Sequence, residues 1–408
     1  MVYSTTNKNI TLIRDEPEKK QVVIVAGEAS ADLHAARLVE MVKQLAPETR
    51  FCGIGGKNLE RAGVRILFHS SEMAVVGLTE AFVRIRTILK AARRLKEILR
   101  VNKPDLLILL DYPEFNLYLA RFAKRLNIPV LYYISPQVWA WRKGRVKKIA
   151  RRITRMAVIL PFEKDFYRKR GVQVDYVGHP LMDRCLEGVT IEQDSQEMLD
   201  EGKGGLFIGL LPGSRKEEIS NLLPEMIKAV GILKRDYPRI QCLLPLADTI
   251  SREFIYPFIE NSPVDIQIRE GEIYETLGQC GLAMVTSGTA TLDTAMMAVP
   301  MVVVYKVSRL SYLAGKALIR VPFISLVNLV AGKKVVCELI QDNLTPETLA
   351  HEAATLLENR ALRKKMKGDL LEVRRLLGRG GASLKTARIA VDMMEKGIPY
   401  VENNPCSR

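Results

Sequence analysis

Short apolar runs that each end in a polar loop bearing glycine or proline recur along this chain. They constrain its fold more than any other feature. VVIVAGEAS, LLILLDYPEF, PVLYYISPQ, RMAVILPFE and VDYVGHPLMD follow one another in the first half. Amphipathic stretches separate them. The first of these, ADLHAARLVEMVKQL, sets its apolar residues near a 3.6-residue period and reads as a helix. Near-continuous apolar strands that alternate with helices predict parallel sheets covered on both faces. The pattern restarts with LFIGLLPGSRKEE, IQCLLPLAD, VDIQIREG, LAMVTSGTATLDTAMMAVP and MVVVYKVS. At 408 residues the chain exceeds one ordinary core, and 48% hydrophobic residues suffice to fill two. The expected class is α/β, with two Rossmann-like domains at 21–186 and 205–345 facing a cleft. An acidic, weakly apolar linker at 187–204 joins them, and a helical tail at 346–408 packs in part back on the first domain.

The net charge of +15 is more than solubility requires. It points to a polyanionic partner: nucleic acid, an anionic membrane surface or phosphorylated substrates. Cysteines 52, 185, 242, 280, 337 and 406 are scattered without CxxC spacing. They read as reduced cytosolic thiols, not as a disulfide frame or a zinc site. Histidines 34, 69, 179 and 351 form no metal-ligand cluster, and no metal is expected; no cofactor is expected either. The opening MVYSTTNKNITLIRDEPEKK lacks the apolar centre of a secretory signal. No run of ~20 apolar residues is available to span a bilayer.

Ligands of such sheets sit beyond the carboxyl ends of the strands, so the loops there are where chemistry is sought. In TSGTATLDTAMMAVP a strand ends at Ser287, Gly288 and Thr289 and a helix begins. Free amides and the positive helix end favour an anion; an N-cap with a glycine turn explains the same residues. LLPGSRKEE adds Ser214 and Arg215 at a second strand end, where a hydroxyl and a guanidinium can grip a diphosphate. A plain Pro-Gly turn with solvated cations is the alternative. Neither loop is a Walker P-loop and no GxGxxG is present, which disfavours a nucleoside triphosphatase and a dinucleotide dehydrogenase. In LLILLDYPEFN, Asp111 ends an apolar run before a Tyr-Pro turn, either as a cap for the helix starting near Glu114 or as a working carboxylate.

Two stretches carry the basic surplus. In GLTEAFVRIRTILKAARRLKEILR, Leu78, Ile85, Ile88, Leu95 and Leu99 share one helical face, and Arg86, Lys90, Arg93, Arg94 and Arg100 crowd the other. MAVVG, with Met73, Val75 and Val76, lies just upstream. This is either a core helix with a solvated back or a helix lying on anionic lipid. WAWRKGRVKKIARRITR is a basic cluster without a single acid and holds both tryptophans, a composition that suits a bilayer interface or RNA.

Nine segments, in order, then resemble the lipid-A-disaccharide synthase family: AGEASADLHAARL, VGLTEA, LLDYPEFN, ISPQVWAWRKGRVKKI, LPFEKDFY, VGHPLMD, LLPGSRKEEI, TSGTATLDTAMMAVPMVVVYKVS and ISLVNLVAGKKVVCELIQ. They run from about residue 22 to 345. The resemblance implies a glycosyltransferase-B fold and metal-independent, inverting transfer of 2,3-diacylglucosamine from its UDP derivative to 2,3-diacylglucosamine 1-phosphate. It gives a β-1,6-linked disaccharide and UDP in lipid A biosynthesis. It implies Asp111 as the base, and Ser214, Arg215, Ser287, Gly288, Thr289, Asn328, Glu338 and Gln341 around the UDP. Glu28, Ser30, Asp32, Asn116 and His179 are expected on the acceptor or sugar side, with an N-cap for a helix beginning near it the strong alternative for Asp32. Met73, Val75, Val76, Leu78, Phe82, Ile85, Arg93 and Arg94 are expected against acyl chains and membrane. The implied location is peripheral, on the cytoplasmic face of a Gram-negative inner membrane, bound to anionic lipid and not to nucleic acid, with a homodimer plausible. Three positions depart from the family pattern: Ala31 for glycine, Asp293 for a longer acid and Cys337 for proline. If the Ala31 position needs positive φ, alanine is strained there. The competing readings are another UDP-sugar glycosyltransferase or epimerase of this fold, and a non-catalytic basic RNA-binding protein.

Overall fold

The computed structural model describes residues 19–73, 81–141, 143–185, 206–247, 249–271, 273–308, 312 and 321–396. They form two compact units. One holds the described residues up to Pro180 together with those from Gly381 onward, and the other runs from Leu181 to Gly380.

The first unit is a seven-stranded sheet. Its strands are β1 (Gln21–Ala26), β2 (Arg50–Gly55), β3 (Arg65–His69), β4 (Leu106–Leu110), β5 (Val130–Tyr133), β6 (Arg155–Val158) and β7 (Val174–Tyr176). They lie in the order β3-β2-β1-β4-β5-β6-β7, all parallel. The helices between them are α1 (Ala29–Leu45), α2 (Lys57–Arg61), α3 (Ser70–Met73), α4 (Ala81–Asn102), α5 (Pro113–Arg125), α6 (Val138–Trp141), α7 (Val146–Arg152) and α8 (Pro161–Arg168). The apolar runs are continuous because both sheet faces are covered. Val23, Val25, Leu107 and Leu109 enter a core shared with Ala91, Leu95 and Leu99 of α4. Their neighbours Val22, Ile24, Leu106 and Ile108 enter the opposite core, with Ala35, Leu38 and Val42 of α1.

The second unit begins with α9 (Leu181–Cys185) and holds a six-stranded parallel sheet. Its strands are β8 (Leu206–Leu211), β9 (Ile240–Leu246), β10 (Asp265–Glu270), β11 (Leu282–Thr286), β12 (Met301–Tyr305) and β13 (Cys337–Ile340). Their order is β10-β9-β8-β11-β12-β13. Around it stand α10 (Lys216–Leu233), α11 (Arg252–Ile259), α12 (Ile273–Gly278), α13 (Thr289–Met296), α14 (Leu326–Ala331), α15 (Pro346–Glu358) and α16 (Arg360–Leu376). So α15 and α16, expected in a tail, are part of this unit. Only α17 (Ala382–Lys396) belongs to the first unit, where Ala387, Ala390 and Met394 complete the α1 core. Arg155 fixes it from β6, donating to Asp175 at 2.7 Å and to Asp392 of α17 at 3.2 Å.

Candidate active site

In the first sheet the strand order reverses between β1 and β4, and ligands of open α/β sheets bind at such switch points. Ala26 and Leu110 are register partners at the carboxyl ends of these strands. Glu28 and Asp111 therefore follow on neighbouring strands. Gly27 allows the close approach: a Cβ there would lie 2.7 Å from Cγ and 2.8 Å from Cβ of Tyr112. Glu28 is the exposed N-cap of α1, and its side chain makes no cap bond. The Tyr112 phenol is pushed up by burial and by the Glu28 carboxylate beside it.

Asp111 and Tyr112 are both left-handed, with φ of 47° and 43°. Each such residue costs about 1–2 kcal/mol, less for aspartate than for tyrosine. A buried bracket holds them. Asn116, fully buried in α5, donates from Nδ2 to the carbonyls of Leu110 (2.9 Å) and Asp111 (2.5 Å). The buried Tyr132 hydroxyl of β5 also donates to the Asp111 carbonyl, at 2.5 Å. The Asp111 backbone is thus fixed by two donors, while its side chain stays partly exposed. The N-cap of α5 is Tyr112, not Asp111. Asn116 was expected beside the sugar; the structure instead uses it beneath the turn.

The next strand end repeats the device. Ile134, after β5, has φ 61°. Ser135 and Trp139 beyond it donate to Glu163 Oε1 at 2.5 and 3.0 Å, and the Leu160 amide donates to Glu163 Oε2 at 3.1 Å. Glu163 is buried, and burial raises its pKa to about 7 against these hydrogen bonds. One carboxyl thus ties the loops after β5 and β6 together. Sequence reasoning passed over it, although a glutamate at the third position of a helix that opens on proline is a capping signal. Trp139 is buried and packs edge-on to Phe162, so it supplies neither a bilayer anchor nor a base-stacking face.

Asp32 does not begin a helix. It lies in the first turn of α1, and its carboxylate caps α2, accepting from Gly56 (2.5 Å), Asn58 (3.0 Å) and Leu59 (3.3 Å). Ser30 is exposed one turn ahead of His34. His179 is buried, and burial with the nearby His34 pushes its pKa down to about 3. A neutral interior histidine fits that position better than a substrate ligand.

In the second sheet the order reverses between β8 and β11, and the two expected anion loops flank that point. They differ. At the start of α10, Glu218 accepts from the amides of Ser214 (3.2 Å) and Arg215 (3.3 Å) and from Arg215 Nη1 (3.3 Å). The anion position there is filled by the chain's own carboxylate, with the Arg215 side chain 70% exposed. Among the described residues, the start of α13 has no such occupant. Its N-cap is Gly288, at φ 153° and without a side-chain cap bond.

Asn328, Glu338 and Gln341 form the frame beside α13. Glu338 accepts from the amides of Ile324 and Ser325 (3.0 Å each), from Ser325 Oγ (2.7 Å) and from Asn328 Nδ2 (2.8 Å). Asn328 Oδ1 accepts from Val335 (2.7 Å) and Val336 (3.0 Å). Gln341, itself at φ 54°, makes a two-way clasp with the Val307 backbone. Ser287 joins the same loop by donating to the Ile324 carbonyl at 3.1 Å.

A sequence profile described as Lipid-A-disaccharide synthetase matches residues 22–390. Lipid-A-disaccharide synthase of Geobacter metallireducens is 46% identical over 92% of this chain and 98% of its own length. That of Syntrophus aciditrophicus is 47% identical over the same shares. The chain belongs to the lipid-A-disaccharide synthase family. It is a hexosyltransferase that acts in lipid A disaccharide synthesis. Solved structures give the fold. UDP-GlcNAc 2-epimerase from Neisseria meningitidis matches with TM-score 0.61 at 14% identity, over 91% of this chain and 100% of that one. MurG of Acinetobacter baumannii matches with TM-score 0.56 at 15% identity, over 92% and 100%. Both units are thus those of a glycosyltransferase-B fold.

The departures from the lipid-A-disaccharide synthase pattern are absorbed locally. Ala31 is helical and buried, so alanine suits it. Asp293 is buried and accepts from the Tyr274 hydroxyl of α12 at 2.8 Å. The Cys337 thiol is half-buried in β13, and burial pushes it up to about 11. In α4, Leu95 and Leu99 are core residues, Arg93 is exposed, and Arg94 pairs with Glu97 at 3.0 Å. Val75, Val76 and Leu78 lie outside the described residues, as do the side chains of Met73, Phe82 and Ile85. Among the described residues, no helix is long and apolar enough to cross a membrane.

Proposed function

We propose that the chain condenses UDP-2,3-diacylglucosamine with 2,3-diacylglucosamine 1-phosphate, giving the β-1,6-linked disaccharide 1-phosphate and UDP. The first unit takes the lipid acceptor and the second the sugar nucleotide. The observation that carries this reading is the Asp111–Tyr112 turn, a strained double left-handed corner at the β1/β4 switch point, held from below by Asn116 and Tyr132. Strain of this kind persists only where surrounding structure over-determines it, and it clusters at active sites. The Asp111 carboxylate takes the proton from the acceptor 6-hydroxyl as that oxygen attacks the anomeric carbon. Glu28 flanks the same corner and orders the sugar. As the anomeric C–O bond breaks, negative charge grows on the diphosphate. The open start of α13, Gly288 and Thr289, meets it with fixed amides. Arg215 exchanges Glu218 for the same phosphates. Serine 214 lines that loop, whereas Asn328, Glu338 and Gln341 act through the loops they hold.

The basic face of α4, with Met73, Val75, Val76 and Leu78 before it in the sequence and Phe82 and Ile85 near its start, rests on the anionic cytoplasmic leaflet of the inner membrane, where both acylated substrates reside. A homodimer is compatible with this placement.

Purified protein given both diacyl substrates should release UDP and disaccharide together. Asp111→Asn keeps a residue that tolerates left-handed φ. It should retain the fold and UDP binding while kcat falls about a hundred- to ten-thousand-fold. Near-normal kcat in that variant would remove Asp111 from the mechanism.

A further inference from the structure

The first unit carries a second concave feature, which the transfer chemistry above does not use. Between α5 and α7 lies a cavity of about 150 Å³, lined by Arg121, Arg145, Lys148 and Arg152, with Glu114 and Tyr118 at its wall. That is room for about five waters at ~30 Å³ each, enough for a phosphate group. One carboxylate faces four cations, and that carboxylate pairs with Arg145. Arg152 is fixed in place by donating to the Leu117 carbonyl at 3.0 Å. Burial and the neighbouring Arg121 push its pKa down, as expected where like charges are gathered in a half-buried space. Packed cations of this kind are relieved by a multiply charged anion. Guanidinium forks match the oxygens of phosphate in pairs.

The surroundings say what carries that phosphate. Tyr118 is 51% exposed at the rim, and Leu89, two turns before Lys96 on the same face of the adjoining α4, is 50% exposed. Lys96 of α4 sits over the Tyr118 and Phe122 rings at 5.6 and 4.9 Å, and Arg100 sits over Phe122 at 5.9 Å. Aromatic and apolar groups interleaved with cations fit an amphipathic partner with a charged head, not a free, fully hydrated ion. The cavity is also close to the catalytic corner. α5 begins two residues after Asp111, and Glu114 to Arg121 span about 10 Å of helix at 1.5 Å per residue.

We propose that the α5–α7 cavity is a phosphate site that takes the phosphate group of a lipid. The lipid is either the acceptor, through its 1-phosphate, or a phospholipid of the bilayer. The first source rests on the acceptor assignment made above; the second does not.

Arg121 and Lys148 are both exposed. The double variant Arg121→Gln/Lys148→Gln is therefore suitable, with Arg121→Lys as the charge-keeping partner and thermal melting as the fold control. Two bindings are measured without turnover: diacylglucosamine 1-phosphate in neutral detergent micelles, and sedimentation with phosphatidylcholine vesicles with and without phosphatidylglycerol. If the acceptor is the occupant, micellar acceptor binding weakens about tenfold or more while UDP affinity stays put. If the bilayer is the source, acceptor binding in micelles is unchanged and the added affinity for phosphatidylglycerol vesicles drops. Arg121→Lys should restore most of either effect. A folded double variant that binds both as the wild type does overturns the proposal. A wild type that binds the acceptor but makes no disaccharide would instead count against the transfer reading and leave this site standing.

Discussion

Replacing Asn116 by alanine tests whether the catalytic corner is held from beneath. The side chain supplies two hydrogen bonds, to the Leu110 and Asp111 carbonyls. At about 1 kcal/mol each, their loss removes about 2 kcal/mol. The corner they restrain stores about 2–4 kcal/mol, from two left-handed residues at about 1–2 kcal/mol each. After the substitution the Tyr132 hydroxyl, worth about 1 kcal/mol, holds the Asp111 carbonyl without its Asn116 partner. The corner should therefore relax, and relaxation returns part of the lost stability. The expected net destabilisation is modest, about 1–2 kcal/mol, but the carboxylate moves. A displacement near 1 Å costs about a hundredfold in rate. Urea unfolding and steady-state kinetics on one preparation read both quantities. Tyr132→Phe alone should have a smaller effect. The double variant should be non-additive, because both side chains hold one carbonyl oxygen. If Asn116→Ala loses stability but keeps kcat within about twofold, the bracket does not aim Asp111 and the argument from strain to catalysis fails.

Gly27→Ala places a methyl 2.7–2.8 Å from Tyr112 and should displace the same corner from above, lowering kcat with about 1–3 kcal/mol of destabilisation; a variant with wild-type kcat and melting would contradict the close approach. Glu163 has a folded pKa of about 7 against 4.5, so the folded state holds the proton more tightly. Its contribution is thus greatest below pH 4.5 and is lost as pH rises towards 7, on the order of 3 kcal/mol. Glu163→Gln should flatten that segment of a pH series of urea titrations, and an unchanged slope would rule the group out as its source. Glu218→Ala removes the carboxylate that competes for the Ser214 and Arg215 amides. It should tighten UDP binding in calorimetry despite about 1 kcal/mol of lost helix capping, whereas weaker binding would mean that Glu218 shapes the loop for the ligand.

What could be read from the sequence follows from what is local. β1, β4, β5 and β6 announce themselves because strands buried on both faces have to be apolar throughout. β2, β3 and β13 are not distinguishable in this way. RFCGIG carries two glycines, RILFH opens and closes on basic residues, and CELI is interrupted by Glu338. The strand-end position of Asp111 was legible for the same local reason. The use of Asn116 was not, because its partners are carbonyls five and six residues back, reachable only once the turn is left-handed. Asp32 reads as a cap, but the helix it caps starts 25 residues further on, and only the pairing of β1 with β2 brings the two together. Trp139 looked like an interface residue from its basic neighbours, and the buried Glu163 that holds its indole lies 24 residues away.

The polar residues singled out in the sequence divide by whether their side chains brace the backbone of neighbouring loops. Asn116, Glu338, Asn328 and Gln341 are committed to backbone groups of neighbouring loops, with Asn116 and Asn328 fully buried. Glu28, Asp111, Arg215 and Thr289 stand at the carboxyl ends of strands with their side chains at least partly exposed. The two groups should fail differently. Truncating a framework residue leaves buried partners unsatisfied at about 1–3 kcal/mol each and shifts a loop, so melting temperature and kcat should fall together. Truncating an exposed strand-end residue removes no such brace, so kcat or KM should change by far more than melting does. Comparing Asn328→Ala with Asp111→Asn on both axes separates a residue that builds the site from one that touches the sugar, which identity to known family members cannot do.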